Sequence, residues 1–386
     1  MIYIGIDISK YKHDCFICSD TGEVIVENFS FENNKKGFQQ FLDLLKSYDN
    51  SNVRIALEAT GHYGLNLKLF LEKNNYSFME FNSLLVKEFH KSLSLRRTKT
   101  DKVDAIVIAR KLMSVPYKPN STLFYHKYSI KSLTRLREAL VKQRSKHLVQ
   151  LTNVLDIIFP EFKPFFNHRF STTSIFILEK YKTPEKIANM RDSDSLRCIS
   201  RGKFKYSKFI KLKDLAKNTI GESNEIFESE LQAILNLYKQ VDFEITVLNN
   251  QISTIIKELN PPTLSIPGIG EISCAIIISE FGNINRFANP NKMLSFAGLE
   301  PGITQSGTMF SKGRMVKRGS GYLRYALMNV AMIILAHNPV FYDYYLKKRS
   351  EGKVHRVALS HVCKKLIRVI YLLETKNISF DSSLLK

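Results

Sequence analysis

The sequence has no long apolar run. Its longest, "ALMNVAMIILA" at 326–336, falls far short of the roughly 20 residues that a membrane-spanning helix needs and reads as a buried helix. The stretch "MIYIGIDISK" has no basic segment followed by an apolar core and a small-residue cleavage site, so secretion is not expected and the cytoplasm is. Cysteine is sparse and odd in number. Cys15, Cys18, Cys198, Cys274 and Cys363 are scattered, which fits reduced thiols and excludes a disulfide framework. Cys15 and Cys18 form a C-x-x-C, but in the alternating run "HDCFICSD" their three-residue offset predicts opposite faces of a strand. No second pair completes a zinc site.

Acid is the other scarcity. Only 36 Asp and Glu stand against 57 Lys and Arg, giving a net charge of +21. That balance favours a polyanionic partner over a small neutral substrate, nucleic acid before an anionic membrane surface. The 386 residues are 44% hydrophobic, enough for two or three domains with cores of their own.

What is present changes in kind along the chain. Residues 1–129 alternate strand and helix signals: "IYIGID", "HDCFICSD" and "EVIVENFSF" read as a meander, followed by β-rich and helical stretches in turn. A mixed sheet with helices on its faces is expected there. Residues 130–259 are helical. From Phe227 onward Leu231, Ile234, Tyr238, Val241, Ile245, Leu248, Ile252, Ile255 and Leu259 follow in steps of four and three, the repeat of a long coiled coil. Its partner is either the 130–158 helix or another subunit. Between the two, "RGKFKYSKFIKLKDLAKN" (201–218) interleaves cations with Phe204, Tyr206 and Phe209, a pattern shared by solvated amphipathic stretches and by surfaces that stack unpaired bases. Composition shifts again after "NPPT", and residues 260–386 read as a third, mainly α-helical domain.

Two aspartates three apart interrupt the cations of "RRTKTDKVDA" (96–105). On a helix Asp101 and Asp104 share a face. Asp7 ends the first strand and Glu58 ends "VRIALE", so both can emerge from strand ends. Mg²⁺ prefers oxygen ligands, and two such ions about 4 Å apart can hold both the attacking and leaving oxygens of a phosphoryl transfer. Four carboxylates suffice to build that pair, with Arg96, Arg97, Lys99 and Lys102 drawing phosphates toward it. The competing reading is a solvated helix start with acids that complement its dipole.

Further on, "LSIPGIGEISCAIIISEFG" (264–282) has the form of a helix-hairpin-helix, with Gly268 and Gly270 admitting a DNA phosphate to backbone N–H groups. The segment 300–327 is rich in Gly, Ser and cations, and reads as a nucleic-acid-facing loop. Lys312, Arg314, Lys317, Arg318 and Arg324 are its candidate phosphate contacts, and Ser306, Ser311 and Ser320 its candidate nucleophiles.

Taken together, "YIGIDISK", "ALEATGHYG", "RTKTDKVDA", "SIPGIGEISCAIIISEFG", "FAGLEPGITQSG" and "KRGSGYLRYAL" resemble the DEDD-type transposases of the insertion-sequence family that uses a bridge RNA, the bridge recombinases. The resemblance implies a RuvC-like, RNase H-like N-terminal domain with Asp7, Glu58, Asp101 and Asp104 as a tetrad for two Mg²⁺ ions. It implies a C-terminal transposase domain whose serine, matched by Ser306 in "TQSG", links covalently to DNA. The implied partners are donor and target DNA, a non-coding bridge RNA, and further copies of the chain as dimers and tetramers in a bacterial or archaeal cell. Residues 160–225 match no motif of the family. The alternatives are a RuvC-like junction-resolving nuclease that uses metal-activated water, and a non-catalytic nucleic-acid-binding protein.

Overall fold

The computed structural model describes residues 1–59, 61–93, 101–119, 124–166, 170–199, 204–306 and 309–385. Two compact units are formed. One comprises Met1–Ser129, Ile278–Arg324 and Glu351–Ile378; the other comprises Ile130–Ile277, Tyr325–Ser350 and Ser379–Lys386. The stretches 1–129 and 130–259 each fall within one unit, whereas 260–386 is shared between them.

Alternation builds the sheet of the first unit. Strands β1 (Ile2–Ile8), β2 (Lys12–Ser19) and β3 (Val24–Glu32) run antiparallel, and β4 (Val53–Glu58) and β5 (Phe78–Phe81) lie parallel to β1, giving the order β3-β2-β1-β4-β5. Every second residue of β1 points one way, so Ile4, Ile6 and Ile8 enter a core with Cys15, Ile17, Ile55, Leu57 and Phe78. Helix α1 (Lys35–Leu45) covers that face with Phe38, Phe41, Leu42 and Leu45, at the i, i+3, i+4, i+7 spacing of an amphipathic helix; α2 (Leu65–Lys73) adds Leu67 and Leu71. The expected mixed sheet is present, and Cys15 and Cys18 lie on its opposite faces.

The second face carries α4 (Asp101–Met113), which follows α3 (Ser83–Leu93). Its Val107, Ile108 and Leu112 pack on Ala56 and Phe81, and Ala105 and Ala109 on Phe16 and Cys18. Gly5 sets how closely the helix sits: a Cβ there would stand 2.3 Å from the Ala105 carbonyl oxygen and 2.4 Å from the Ala109 nitrogen. Backbone cannot yield as a flexible side chain would. Gly5→Ala is therefore expected to lower stability by about 1–3 kcal/mol, read as a fall in the urea midpoint. Gly270→Ala, at a site with open space around it, should stay within about 0.5 kcal/mol. Equal midpoints for the two variants would remove the close-approach argument.

In the second unit two long helices, α5 (Phe124–Ile158) and α11 (Glu225–Leu259), lie side by side. Arg137 donates to Asn249 at 2.5 Å and Arg144 to Asp242 at 2.6 Å. Seven residues forward on one helix are seven back on the other, so the pair is antiparallel. The partner of the α11 repeat is thus the 130–158 helix of the same chain: Leu151, Val154, Leu155 and Ile158 share a core with Leu231, Ile234 and Leu235. The repeat itself slips near its end. Val241, Ile245, Leu248 and Ile252 are buried as expected, but Ile256 replaces Ile255 as the next buried position and Leu259 is exposed. An unsupercoiled α-helix drifts by about 20° per heptad relative to a 3.5-residue repeat, and four heptads suffice to move the buried stripe by one residue.

Five short helices fill the interval between them: α6 (Phe162–Phe165), α7 (Thr172–Tyr181), α8 (Pro184–Ala188), α9 (Asp192–Ile199) and α10 (Tyr206–Lys217). Phe159, Phe162, Phe166, Ile177, Leu178, Phe204, Phe209 and Leu212 make their core, continuous with that of the long helices. The stacking-surface reading of Phe204 and Phe209 is therefore corrected: helical periodicity turns 209, 212 and 216 inward, and only Tyr206 of the three aromatics is on the surface.

The rest of the chain is α12 (Glu271–Phe281), α13 (Pro290–Phe296), a hairpin of β6 (Pro301–Ser306) and β7 (Met309–Met315), and helices α14 (Gly321–His337), α15 (Pro339–Ser350) and α16 (His355–Lys376). Arg286 is held between the rings of Phe287 and Phe296, 4.7 and 4.8 Å from their centroids, and Tyr371 donates its hydroxyl to the Phe287 carbonyl at 3.3 Å. Among the described residues no single helix is long and apolar enough to cross a membrane.

Candidate active site

The parallel pairing of β1 with β4 places Ile6 opposite Leu57, and one residue further on each strand stand Asp7 and Glu58. Both follow Gly5 and Ala56 by two residues, so they share with them the face covered by α4. The end of β4 is fixed locally: the Ala59 N–H donates to the Phe81 carbonyl at 2.9 Å and the Ser83 hydroxyl to the Ala59 carbonyl at 3.0 Å.

Helix α4 runs against the direction of β1. Its last residue, Met113, lies 3.6 Å through sulfur from Cys18, which pairs with Tyr3 at the start of β1. Its first turn is therefore at the far end of the strand, where Asp7 and Glu58 are. Asp104 immediately precedes Ala105, whose carbonyl rests over Gly5. The structure thus brings Asp7, Glu58 and the Asp101/Asp104 turn to one end of one sheet face. The side chain of Asp101 lies outside the described residues, and among those described no three Asp, Glu, His or Cys side chains are gathered closely enough to hold an ion.

Asp14 is a carboxylate that motif reading passed over. It faces Asp7 across the β1–β2 pairing on the same side of the sheet, is 3% exposed, accepts from the Ser30 hydroxyl and pairs with Lys12 at 3.0 Å. Its only signal in the sequence was the alternation of "HDCFICSD", which puts Asp14 in phase with Phe16 and Cys18. Of the expected phosphate contacts on this unit, Lys102 forms an exposed pair with Glu27 at 3.0 Å, while Arg96, Arg97 and Lys99 lie outside the described residues.

The segment read as a loop is a β-hairpin, with Ser306 opposite Met309 at its tip. Its root is closed by two glycines in left-handed or extended positive-φ conformations. A Cβ on Gly298 would meet the Arg318 carbonyl at 2.8 Å, and one on Gly319 the Phe296 carbonyl at 2.2 Å. Only hydrogen fits at either place, which explains the glycines of "FAGLEPG" and "KRGSG". Arg324 fastens the same crossing by donating to the carbonyls of Ala297 and Lys317, both at 3.3 Å. Ser320 is engaged elsewhere: its hydroxyl donates to the buried Glu280 at 2.8 Å and accepts from the Leu323 N–H at 3.2 Å, capping α14. Lys317 and Arg318 are exposed, and the side chains of Ser306, Lys312 and Arg314 lie outside the described residues. Gly268 has φ +95° and packs against α14, where a Cβ would stand 3.1 Å from the Ile334 Cα; Gly270 has open space around it at the start of α12.

The fold sets strand-end acids beside an acid-bearing helix and, far along the chain, a glycine-rooted hairpin, and the sequence around both is that of a DEDD-type transposase. A transposase model of that type, for IS110, matches residues 4–160, and the model described as the transposase IS116/IS110/IS902 family matches residues 263–346. The chain belongs to the IS116/IS110/IS902 family of transposases, whose members act on DNA. It is 26% identical over 385 residues to the pilin gene-inverting protein of Moraxella bovis, covering 98% of this chain and 97% of that protein. The mini-circle putative transposase for IS117 of Streptomyces coelicolor is 22% identical, covering 95% of this chain and 92% of its own length. An uncharacterized 44.8 kDa protein of insertion element IS116 from Streptomyces clavuligerus is 22% identical over 96% and 94% of the two chains.

Proposed function

We propose that this transposase is an RNA-guided DNA recombinase that inserts and excises its own mobile element. The observation that supports it most is the placement of Asp7 and Glu58 on neighbouring parallel strands, on the face whose covering helix begins with Asp101 and Asp104. In this reading the N-terminal sheet is RNase H-like, 1–129 is the catalytic domain, 130–259 the helical middle and 260–386 the transposase domain.

Asp7, Glu58, Asp101 and Asp104 would hold two Mg²⁺ ions, and the donor set fits them: all are carboxylates, in surroundings of excess positive charge. When bound, the metal would lower the cost of charge at the attacking and leaving oxygens. Four carboxylates at one end of a sheet otherwise repel one another, which gives the site its affinity for cations.

Ser306 supplies the attacking oxygen. Its Oγ bonds to phosphorus while one phosphorus–deoxyribose oxygen bond breaks, and the departing deoxyribose oxygen takes up a proton equivalent to the one serine lost. Attack by a deoxyribose hydroxyl of another strand reverses the step and frees the serine. One phosphodiester is exchanged for another, so no nucleotide hydrolysis is required. Exchange between two DNAs needs more than one serine, and the assembly is read as a dimer that becomes a tetramer, with the tetrad of one subunit serving the serine of another. Lys102, Lys312, Arg314, Lys317 and Arg318, with Arg96, Arg97 and Lys99, would contribute salt-dependent affinity for the DNA backbone, and Gly268 and Gly270 a phosphate-facing turn. Arg324, bound to two carbonyls, would act chiefly by holding the hairpin root.

The guide is tested by sequencing nucleic acid that purifies with the protein from cells carrying the complete element. One abundant small transcript encoded beside the gene is expected. Random RNA, or none, would reject guidance while leaving the cleavage chemistry in place.

A further inference from the structure

Helix α10 belongs to neither segment matched by the family models. It turns Phe209, Leu212 and Ala216 into the core of the five-helix insertion, all less than 5% exposed, and this fixes which residues face outward. Lys208 and Lys211 share one flank of the outward face at i, i+3. Tyr206 and Ile210 share the other at i, i+4, and are 48% and 45% exposed. Lys205 stands at the N-cap and Lys217 in the last turn.

Five nearby acids are engaged, two of them, Glu179 and Asp194, by lysines and three by neutral donors. Glu179 pairs with Lys239, Asp194 with Lys180, Glu185 accepts from Ser223, Glu161 from Thr219 and the Ile220 N–H, and Asp214 from Asn218. Among the described residues no ion pair includes Lys205, Lys208, Lys211 or Lys217. The outward face carries one exposed acid, Asp214, against the exposed Lys208, Lys211 and Lys217, and the half-exposed ring of Tyr206, stacked on Phe209 at 6.0 Å between centroids, lies on the flank opposite Lys208.

We infer that this face of α10 binds single-stranded RNA, with the lysines on phosphates and Tyr206 stacked on an unpaired base. Charge complementarity selects a polyanion. The exposed tyrosine selects a single strand, because a duplex keeps its base faces covered while an unpaired base offers a ring to stack on. The choice of RNA rests on the RNA-guided reading above, in which the guide is the nucleic acid with standing unpaired stretches.

The test uses the full chain, a labelled 20-nucleotide RNA of mixed sequence without self-pairing, and a 20-base-pair DNA duplex, with binding read by fluorescence anisotropy. Lys208→Glu with Lys211→Glu is expected to weaken RNA binding by about tenfold or more and to flatten its salt dependence. Tyr206→Leu, which leaves every charge in place and keeps an apolar contact on Phe209 in place of the stacked ring, should weaken it by about fivefold or more, at a melting temperature close to wild type. Duplex binding should change by less than about twofold in both. RNA binding by both variants at wild-type strength would overturn the assignment to α10 and leave guidance standing. A loss confined to the duplex would overturn it in favour of a DNA contact. No RNA binding by the wild type would overturn the guided reading, and this inference with it.

Discussion

An Asp7→Asn transposase is expected to lose strand cleavage by about a thousandfold or more while its affinity for DNA changes by less than about threefold. Asparagine has the shape of aspartate without its charge. The strand should survive the change, since the side chain projects from the end of β1 rather than into the Ile4, Ile6 and Ile8 core. In the proposed site, what would be lost is a ligand offsetting the charge of two divalent cations. Metal ions that polarise a phosphoryl oxygen contribute several kcal/mol to the transition state, and a thousandfold corresponds to about 4 kcal/mol. DNA affinity should persist because it comes mainly from cations spread over the surface, and loss of an anion cannot weaken their attraction. The comparison is a cleavage assay in Mg²⁺ beside a binding titration in the same salt, with Glu179→Gln as a control acid far along the chain. Cleavage at the wild-type rate in Asp7→Asn would remove the carboxylate site from the proposal.

Ser306→Ala is the second large effect. Wild-type protein should retain a labelled DNA strand on a denaturing gel, because a phosphodiester to serine survives detergent and heat, and the alanine variant should retain none. Ser320→Ala sharpens the result. Ser320 already gives its hydrogen to Glu280 and accepts one from the backbone of α14, so its removal costs a helix cap, about 1 kcal/mol of stability, and leaves the adduct intact. An adduct that disappears with Ser320 and persists without Ser306 would reverse the assignment. Cleavage without any adduct in the wild type would instead favour metal-activated water.

Much of the N-terminal unit was legible because two periods write it directly into the sequence. Ile4, Ile6 and Ile8 alternate, Phe38, Phe41, Leu42 and Leu45 repeat at the helical spacing, Asp7 stands on the opposite phase of β1 near its end, and Glu58 ends β4. Gly5 stands in "YIGIDISK" for a reason that no local pattern carries, the backbone of a helix a hundred residues away. The middle was half legible. The α11 repeat announced a long packed helix, but the polar pairs Arg137–Asn249 and Arg144–Asp242 that set its register against α5 carry no periodic mark. Phe204 and Phe209 misled because a phenylalanine beside lysines spells a base-stacking surface and an amphipathic core helix alike, and only the packed partner decides between them. The β6–β7 hairpin was missed for a related reason. Glycine, serine and lysine are poor strand formers, and here the pairing itself, over a clamped root, imposes extended structure on them.

That root works as the fulcrum of a lever. The six residues of β6 put the hairpin tip on the order of 20 Å from the place where Gly298 and Gly319 cross. In-line attack tolerates little error once the reacting atoms are about 3 Å apart. A wedge of one methyl group at the crossing would open the hinge line by a fraction of that distance and swing the far end by a multiple of it. Two glycines at the crossing would thereby govern the aim of Ser306 in the proposed reaction.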